Sequence, residues 1–361
     1  MRTLRSVLLA CLMPVAVACH KPGSAASQPD RAAPSGAASD AAVLPPGSGP
    51  DLTVLPDAGP DVAVEAGTAG VADAELDAPV DASADLVTAA GADTAADVVD
   101  SSISNILRFV VVADPQMGMT PTADGSDLDM KYFSLAVAKI GALKPPAAFV
   151  LNCGDVVHGA VPNLWSDYLT VAAKLPIVHH EVMGNHDGWS AAGLDYWRNT
   201  LGKKDYYAFS DGDALFIALN SFFLKNPTAL PAETKKQKDF LAATLAANPG
   251  AKHKFLFFHM PIFTQTPTEA EDYWNLPLPE RNYLLDIVDD ANVTAVFTGH
   301  FHRTDVVAYN GKVLLTSGPI SLPMGKNSDG TPASRGFFVI DFDRTTGKLD
   351  HQYQLLLPSE L

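Results

Sequence analysis

In the stretch "AVFTGHFHRTD", residues 295–305, an apolar run ends in Thr298-Gly299 and then presents two histidines, His300 and His302, at positions i and i+2. A single imidazole at the tip of a buried strand is ordinarily a hydrogen-bonded structural residue. Two of them behind a glycine are suited to hold a metal or move a proton. The pattern recurs four times upstream. "ILRFVVVADPQ" ends in Asp114 and Gln116, "AAFVLNCGD" in Asp155, "IVHHEVMGNHD" in Asn185, His186 and Asp187, and "KFLFFH" in His259. Each run is short and rich in Val and Phe, the signature of a buried strand. The carboxyl ends of strands in open α/β sheets line a common crevice, so five strands would deliver carboxylates, an amide and imidazoles to one place. Oxygen and nitrogen donors without thiolates suit Mn, Fe or Zn, and suit a structural Cys-rich zinc site poorly.

The elements that must position these residues follow from periodicity. "DLDMKYFSLAVAKIGAL", "ETKKQKDFLAATLAAN" and "PERNYLLDIVDDAN" carry apolar residues at helical spacing or begin and end at helix signals, the second between Pro231 and Asn248-Pro249, the third after Pro279. "YYAFSDGDALFIALN" reads as a hairpin turning at Asp211-Gly212-Asp213. "DVVAYNGKVLLTS", "GFFVIDFD" and "LDHQYQLL" make the last third rich in strands. Strand–helix alternation with added antiparallel strands predicts an α/β layered domain over 106–361.

Composition separates that domain from what precedes it. No Phe, Tyr or Trp occurs before Phe109, and residues 20–105 are dominated by Ala, Asp, Pro, Gly, Ser and Val. Such a segment lacks the large side chains that offset ordering entropy, and is expected to be a disordered linker. It holds 14 acidic and 2 basic residues, leaving 27 acidic and 21 basic for 106–361. Neither part has a basic stripe, which excludes nucleic acid as a structural partner and an anionic membrane surface as an electrostatic one. Residues 1–19, "MRTLRSVLLACLMPVAVAC", have a short basic start, an apolar stretch and small residues before Cys19. This reads as a secretory signal, and "AVAC" resembles a bacterial lipobox with Cys19 lipidated. The expectation is an exported bacterial protein, lipid-anchored in the envelope, with its domain spaced from the membrane by residues 20–105. With Cys11 removed and Cys19 acylated, Cys153 has no disulfide partner and reads as a buried small hydrophobe.

The order of the polar clusters resembles the calcineurin-like metallophosphoesterases, from about Phe109 to the end of the chain. "ADPQMG", "CGDVVH", "NSFFLKNP", "EDYWNLP" and "GHFHR" are similar to the branch of calcineurin-like phosphoesterase-domain proteins whose animal members act as serine/threonine phosphatases. The resemblance implies a four-layer αββα sandwich of two mixed sheets with a dinuclear site of divalent or trivalent metal ions at the strand ends. It implies that Asp155 bridges the two ions, that Asp114 and His302 bind the first, and that Asn185, His259 and His300 bind the second. His186 would serve the leaving-group oxygen as general acid, with Asp187 holding its imidazole in a useful tautomer. A phosphorylated substrate would be attacked by hydroxide held between the metals. The departure is Gln116, where the wider superfamily has His: it is either a weaker oxygen ligand or a hydrogen-bond partner of metal-bound water.

Other residues admit two readings each. His158 could touch substrate phosphate or serve the structure, and Arg303 could grip phosphate bidentately or form a surface salt bridge. Tyr273 and Trp274 could wall the pocket and select substrate, or simply pack. His179, His180, His253 and His351 read as structural, and Asn220 and Ser221 as support for the site. A monomeric phosphomonoesterase, accepting phosphoprotein Ser/Thr, is the expectation. A phosphodiesterase acting on nucleotides or lipid headgroups and a non-catalytic metal- or phosphate-binding envelope module are the alternatives.

Overall fold

The computed structural model describes residues 104–361 apart from 121, 123–126 and 189. The expected signal, lipidated Cys19 and all but the last two residues of the expected 20–105 linker lie outside the described residues. Two mixed sheets form the centre. The first holds β1 (Ile106–Val112), β2 (Phe149–Asn152), β3 (Val178–Glu181), β10 (Gly336–Asp343) and β11 (Leu349–Leu355), in the order β11-β10-β1-β2-β3. The second holds β4 (Tyr207–Asp211), β5 (Ala214–Ala218), β6 (His253–Phe257), β7 (Ala295–Thr298), β8 (Asp305–Tyr309) and β9 (Lys312–Thr316), in the order β4-β5-β6-β7-β9-β8. Strands β1, β2 and β3 run parallel, as do β5, β6, β7 and β9; β4, β8, β10 and β11 add the antiparallel pairings.

The period-two alternation of side chains along each strand explains the four layers. In β1, Leu107, Phe109 and Val111 point between the sheets, where they join Phe149, Phe216, Phe255, Phe257 and Phe297 in one core. Phe109 is the hub, edge-on to Phe216 and Phe297 at 5.5 Å each. Val110 and Val112 point the other way, onto α1 (Leu128–Gly141) and α2 (Pro162–Ala172), with Phe133, Ile140, Trp165 and Tyr168 in the second core. In the second sheet Leu215, Ile217, Leu256 and Val296 face outward onto α6 (Pro231–Ala247) and α7 (Leu278–Asp290) through Leu241, Leu284, Leu285 and Val288. Each fully buried aromatic or branched side chain contributes about 1.5–3 kcal/mol, so both faces of both sheets are specified. The result is the expected αββα sandwich. Helix α2 is additional to the three helices expected from sequence, although Pro162 at its first turn and Trp165, Tyr168, Val171 and Ala172 on one face are regular helix signals. Between β3 and β4 the chain forms α3 (Asn185–Gly188), α4 (Ala191–Asp195) and a π-helical turn (Tyr196–Thr200); α5 (Ser221–Lys225) follows β5.

Candidate metal centre

The predicted clusters all follow the last residue of a parallel strand: Asp114 and Gln116 after β1, Asp155 after β2, Asn185 after β3, His259 after β6, and His300 and His302 after β7. Backbone amides lace these turns together. Asp114 N donates to Gly154 O at 3.0 Å, and Gly299 N to His259 O at 2.9 Å. Asp114, Gln116, Asp155, His300 and His302 all have φ between 46° and 67°. Left-handed backbone is costly for non-glycine residues and persists where surrounding contacts over-determine it, which is common at functional sites. Two glycines are sterically required. A Cβ on Gly184 would lie 2.1 Å from Asp155 Oδ1, and one on Gly299 would lie 2.8 Å from Asp114 Oδ2.

The side chains converge as well. His259 Nε2 lies 3.2 Å from Asp155 Oδ2 and 3.0 Å from Asn185 Oδ1. His302 Nε2 lies 3.5 Å from Asp114 Oδ1. Asp155, His259 and His300 can each offer one donor atom, all within 4.8 Å of one another. The backbone N–H of His300 donates to both oxygens of Asp114 (3.2 and 3.0 Å), and that of His186 donates to Asp155 Oδ1 at 2.8 Å. Asp114, Gln116, Asp155, Asn185, His259, His300 and His302 are all buried.

Burial of so many ionisable groups sets up opposed electrostatics. Desolvation pushes the Asp114 carboxyl well above the usual range. Burial acts in the same direction on Asp155, but the positive charge and hydrogen bond of His259 outweigh it and hold Asp155 well below its ordinary value. Burial would lower His259, yet Asp155 and Asp114 raise it to about 9. Desolvation and the neighbouring His259 depress His300 to about 3. Asp155 and Asp114 thus draw cationic charge to a place where His259 holds a proton and the His300 and His302 rings resist one, a demand that a metal ion can meet in the proton's stead.

The imidazoles fit that demand. His259 Nδ1 pairs with Cys153 O at 2.8 Å, His300 Nε2 with Tyr273 O at 3.1 Å, and His302 Nδ1 with Leu322 O at 2.6 Å. A backbone carbonyl accepts from N–H, so in each ring that nitrogen carries a proton and the other is the one left to ligate once it is deprotonated. Cys153 offers its carbonyl, while burial and then Asp114 push its thiol up. Gln116 Oε1 accepts from Ser321 Oγ at 3.3 Å, and Ser321 N donates to Asp114 O.

Around this centre the structure corrects one expectation and sharpens others. Among the described residues no bond joins the His186 ring to Asp187. Its carboxylate accepts from Val157 N (3.0 Å) and Gly184 N (2.8 Å), tying the Asp155 turn to the Asn185 turn. The reason is geometric: His186 and Asp187 are consecutive in one helical turn, and such neighbours project in different directions. The His186 ring instead stacks on His158, with centroids 4.7 Å apart and planes 20° from parallel. Arg303 makes no ion pair among the described residues; its guanidinium lies over Phe301, 3.7 Å from the ring centroid, and donates to Lys326 O. Trp274 packs on His300 (5.3 Å) and Phe301 (5.8 Å). Tyr273 does more than wall a pocket, since its hydroxyl accepts from Asn185 Nδ2 at 3.2 Å in addition to the carbonyl bond with His300. Asn220 caps α5, accepting from Phe222 N, and Ser221 Oγ accepts from Met260 N next to His259. Far from the centre, His180 stacks on Phe209 and His253 pairs with Arg344 O, both structural.

Comparison with known proteins gives the same picture. The family model described as "Calcineurin-like phosphoesterase" matches residues 107–304. Serine/threonine-protein phosphatase CPPED1 of Rattus norvegicus is 31% identical over 245 residues, covering 62% of this chain and 78% of the relative. The Homo sapiens CPPED1 is 30% identical over 246 residues, with 62% and 77% covered. Among solved structures, a dimetal phosphatase from Danio rerio aligns with TM-score 0.50 at 14% identity, over 70% of this chain and 99% of that one. GAP50, the anchor in the inner membrane complex of Plasmodium, aligns with TM-score 0.51 at 16% identity, over 70% and 89%. At such identities the two structural matches speak for the fold alone. No helix among the described residues is long and apolar enough to cross a membrane.

Proposed function

This chain belongs to the calcineurin-like phosphoesterase family, and from that premise we infer a two-metal phosphatase that hydrolyses phosphate monoesters, phosphoprotein Ser/Thr among them. The observation that supports a catalytic site over a passive metal store is His186. Its backbone is pinned to Asp155, while its ring is half-buried and stacked on the exposed His158. Asp155 would sit between the two ions, with Asp114 and His302 holding one and Asn185, His259 and His300 the other. Gln116 would lie beside the first, as a weak ligand or a water-binding group. When bound, the ions supply electrophilic charge for the phosphoryl oxygens and activate the attacking water.

The chain's own residues do the rest. His186 donates a proton to the leaving alkoxide oxygen as its bond to phosphorus breaks, general-acid help that contributes typically 10²–10⁴-fold. Stacking on His158 keeps the His186 ring in that pose, and Asp187 keeps the two turns in register. Trp274 and Phe301, with Arg303 laid over the latter, form an aromatic and cationic rim beside His300 for the substrate's remaining groups.

The test is hydrolysis of p-nitrophenyl phosphate, its bis-ester and a phosphoserine peptide by the full chain stripped and reloaded with Mn, Fe or Zn. Monoester turnover that falls at least 10²-fold in His186→Ala with metal content intact agrees with this reading. Preference for the bis-ester makes the chain a phosphodiesterase, and silence on all three with two metals bound makes it a binding module. For location we propose an exported, lipid-anchored protein on the strength of residues 1–19 alone; loss of lipid labelling in Cys19→Ser is the matching result, and equal labelling contradicts it.

A further inference from the structure

Tyr273 belongs to none of the five strand-end clusters. It sits between β6 and α7, in a segment whose shape is specified with unusual care. Arg281, fully buried near the start of α7, makes no ion pair among the described residues: its Nη1 donates to Pro267 O (3.0 Å) and Glu269 O (2.7 Å) and its Nη2 to Leu276 O (2.9 Å), with Nε left unpartnered. Burying a guanidinium is expensive unless its donors are satisfied, so these three carbonyls are held where the charge needs them. Glu269 in turn accepts from Thr264 N, Gln265 N, Thr266 N and Asn275 Nδ2, at 2.6–2.9 Å. Lys225 donates to Asp272 O and Asn275 O on either side of Tyr273. From this support Tyr273 reaches two metal-site residues at once. Its hydroxyl accepts from Asn185 Nδ2 at 3.2 Å, its carbonyl meets His300 Nε2 at 3.1 Å, and its ring lies 4.8 Å from the His300 ring.

An asparagine amide has two similar ends, and only the oxygen can ligate a cation. With Nδ2 engaged by the Tyr273 hydroxyl, Oδ1 is turned to His259 Nε2, 3.0 Å away. We infer that Tyr273 is a positioning residue for the second metal: its hydroxyl selects the ligating end of Asn185 while its carbonyl selects the ligating nitrogen of His300. This rests on the two-metal reading given above. The carbonyl function survives any side-chain substitution, so the hydroxyl can be tested by itself.

Mn²⁺ is titrated by calorimetry into metal-stripped full chain: wild type, Tyr273→Phe, Asn185→Asp and the double variant. Substituting partners that orient metal ligands typically costs 10–100-fold in affinity. Tyr273→Phe should weaken the second binding event by that factor, leave the first unchanged, and leave the melting temperature of the stripped protein where it was. A carboxylate at position 185 can ligate through either oxygen and has no wrong end. In the Asn185→Asp background the same Tyr273→Phe change should therefore cost no more than about twofold, the scatter expected of independent sites. Equal weakening in both backgrounds, equal weakening of both events, or no weakening at all overturns the inference. A wild type that binds no metal pair overturns the two-metal reading instead.

Discussion

Gly184→Ala is the smallest change that should disable the site. The added Cβ would stand 2.1 Å from Asp155 Oδ1 and 2.2 Å from Asp155 N. A carbon and an oxygen pack no closer than about 3 Å, so roughly 1 Å of movement is forced. Neither side yields easily. Gly184 N is bound to Asp187 Oδ2, Asp155 has φ 51°, and its Oδ1 also accepts from His186 N. Overpacking of this kind costs about 1–3 kcal/mol, or a melting temperature lower by about 2–12 °C for a folded part of this size. The functional loss should be disproportionate, because a misplacement of about 1 Å at a reacting centre costs on the order of 10²-fold in rate. The assay pairs calorimetric unfolding with kcat on p-nitrophenyl phosphate at saturating Mn²⁺. A variant within threefold of wild-type kcat would refute the claim that contact between the Asp155 and Asn185 turns sets the site geometry.

Three further outcomes are expected. His158→Ala should lower kcat with little change in KM, and His158→Phe, which keeps the stack on His186, should restore most of it; a KM effect that Phe does not rescue would make His158 a phosphate contact. Asp187→Asn puts an amide NH₂ against a backbone N–H, either of Val157 or of Gly184, and should cost about 1–3 kcal/mol in urea unfolding; unchanged stability would show that the carboxylate does not tie the turns. Burial would raise the Glu181 carboxyl, but His179 and Lys203 outweigh it and bring it from 4.5 to about 2. A depressed carboxyl contributes stability that is fully present above about pH 4.5 and is lost as pH falls toward about 2, here at most about 3 kcal/mol. Glu181→Gln should accordingly flatten the acid limb of the stability curve by that amount, and an unaltered acid limb would count against it.

The ends of β1, β2, β6 and β7 were legible because a parallel strand buried on both faces is written as a mostly apolar run, and the polar residues after it fall at the crevice. Strand β3, Val-His-His-Glu with Val178 exposed, was legible only from the polar cluster that follows it. Phe109, Phe216, Phe255 and Phe297 likewise announce an interior with aromatic rings on alternate positions. What escaped is chemistry supplied by backbone. The carbonyls of Cys153, Tyr273 and Leu322 decide which nitrogen of each histidine is free, and a carbonyl has no residue type. A pairing of Asp187 with His186 was not legible, because adjacency in sequence is not adjacency of side chains within a helical turn. Arg281 had a readable signal: it occupies the apolar stripe of α7 with Leu284, Leu285 and Val288, where a charge is out of place unless something buried needs it.

The central claim, that two metal ions act together at Asp155, is tested most directly by measuring p-nitrophenyl phosphate turnover as metal is returned to stripped protein in known equivalents. Little activity is expected up to one equivalent per chain, with a steep rise toward a plateau at two. Full activity at one equivalent, or turnover that persists in the stripped protein, would contradict it.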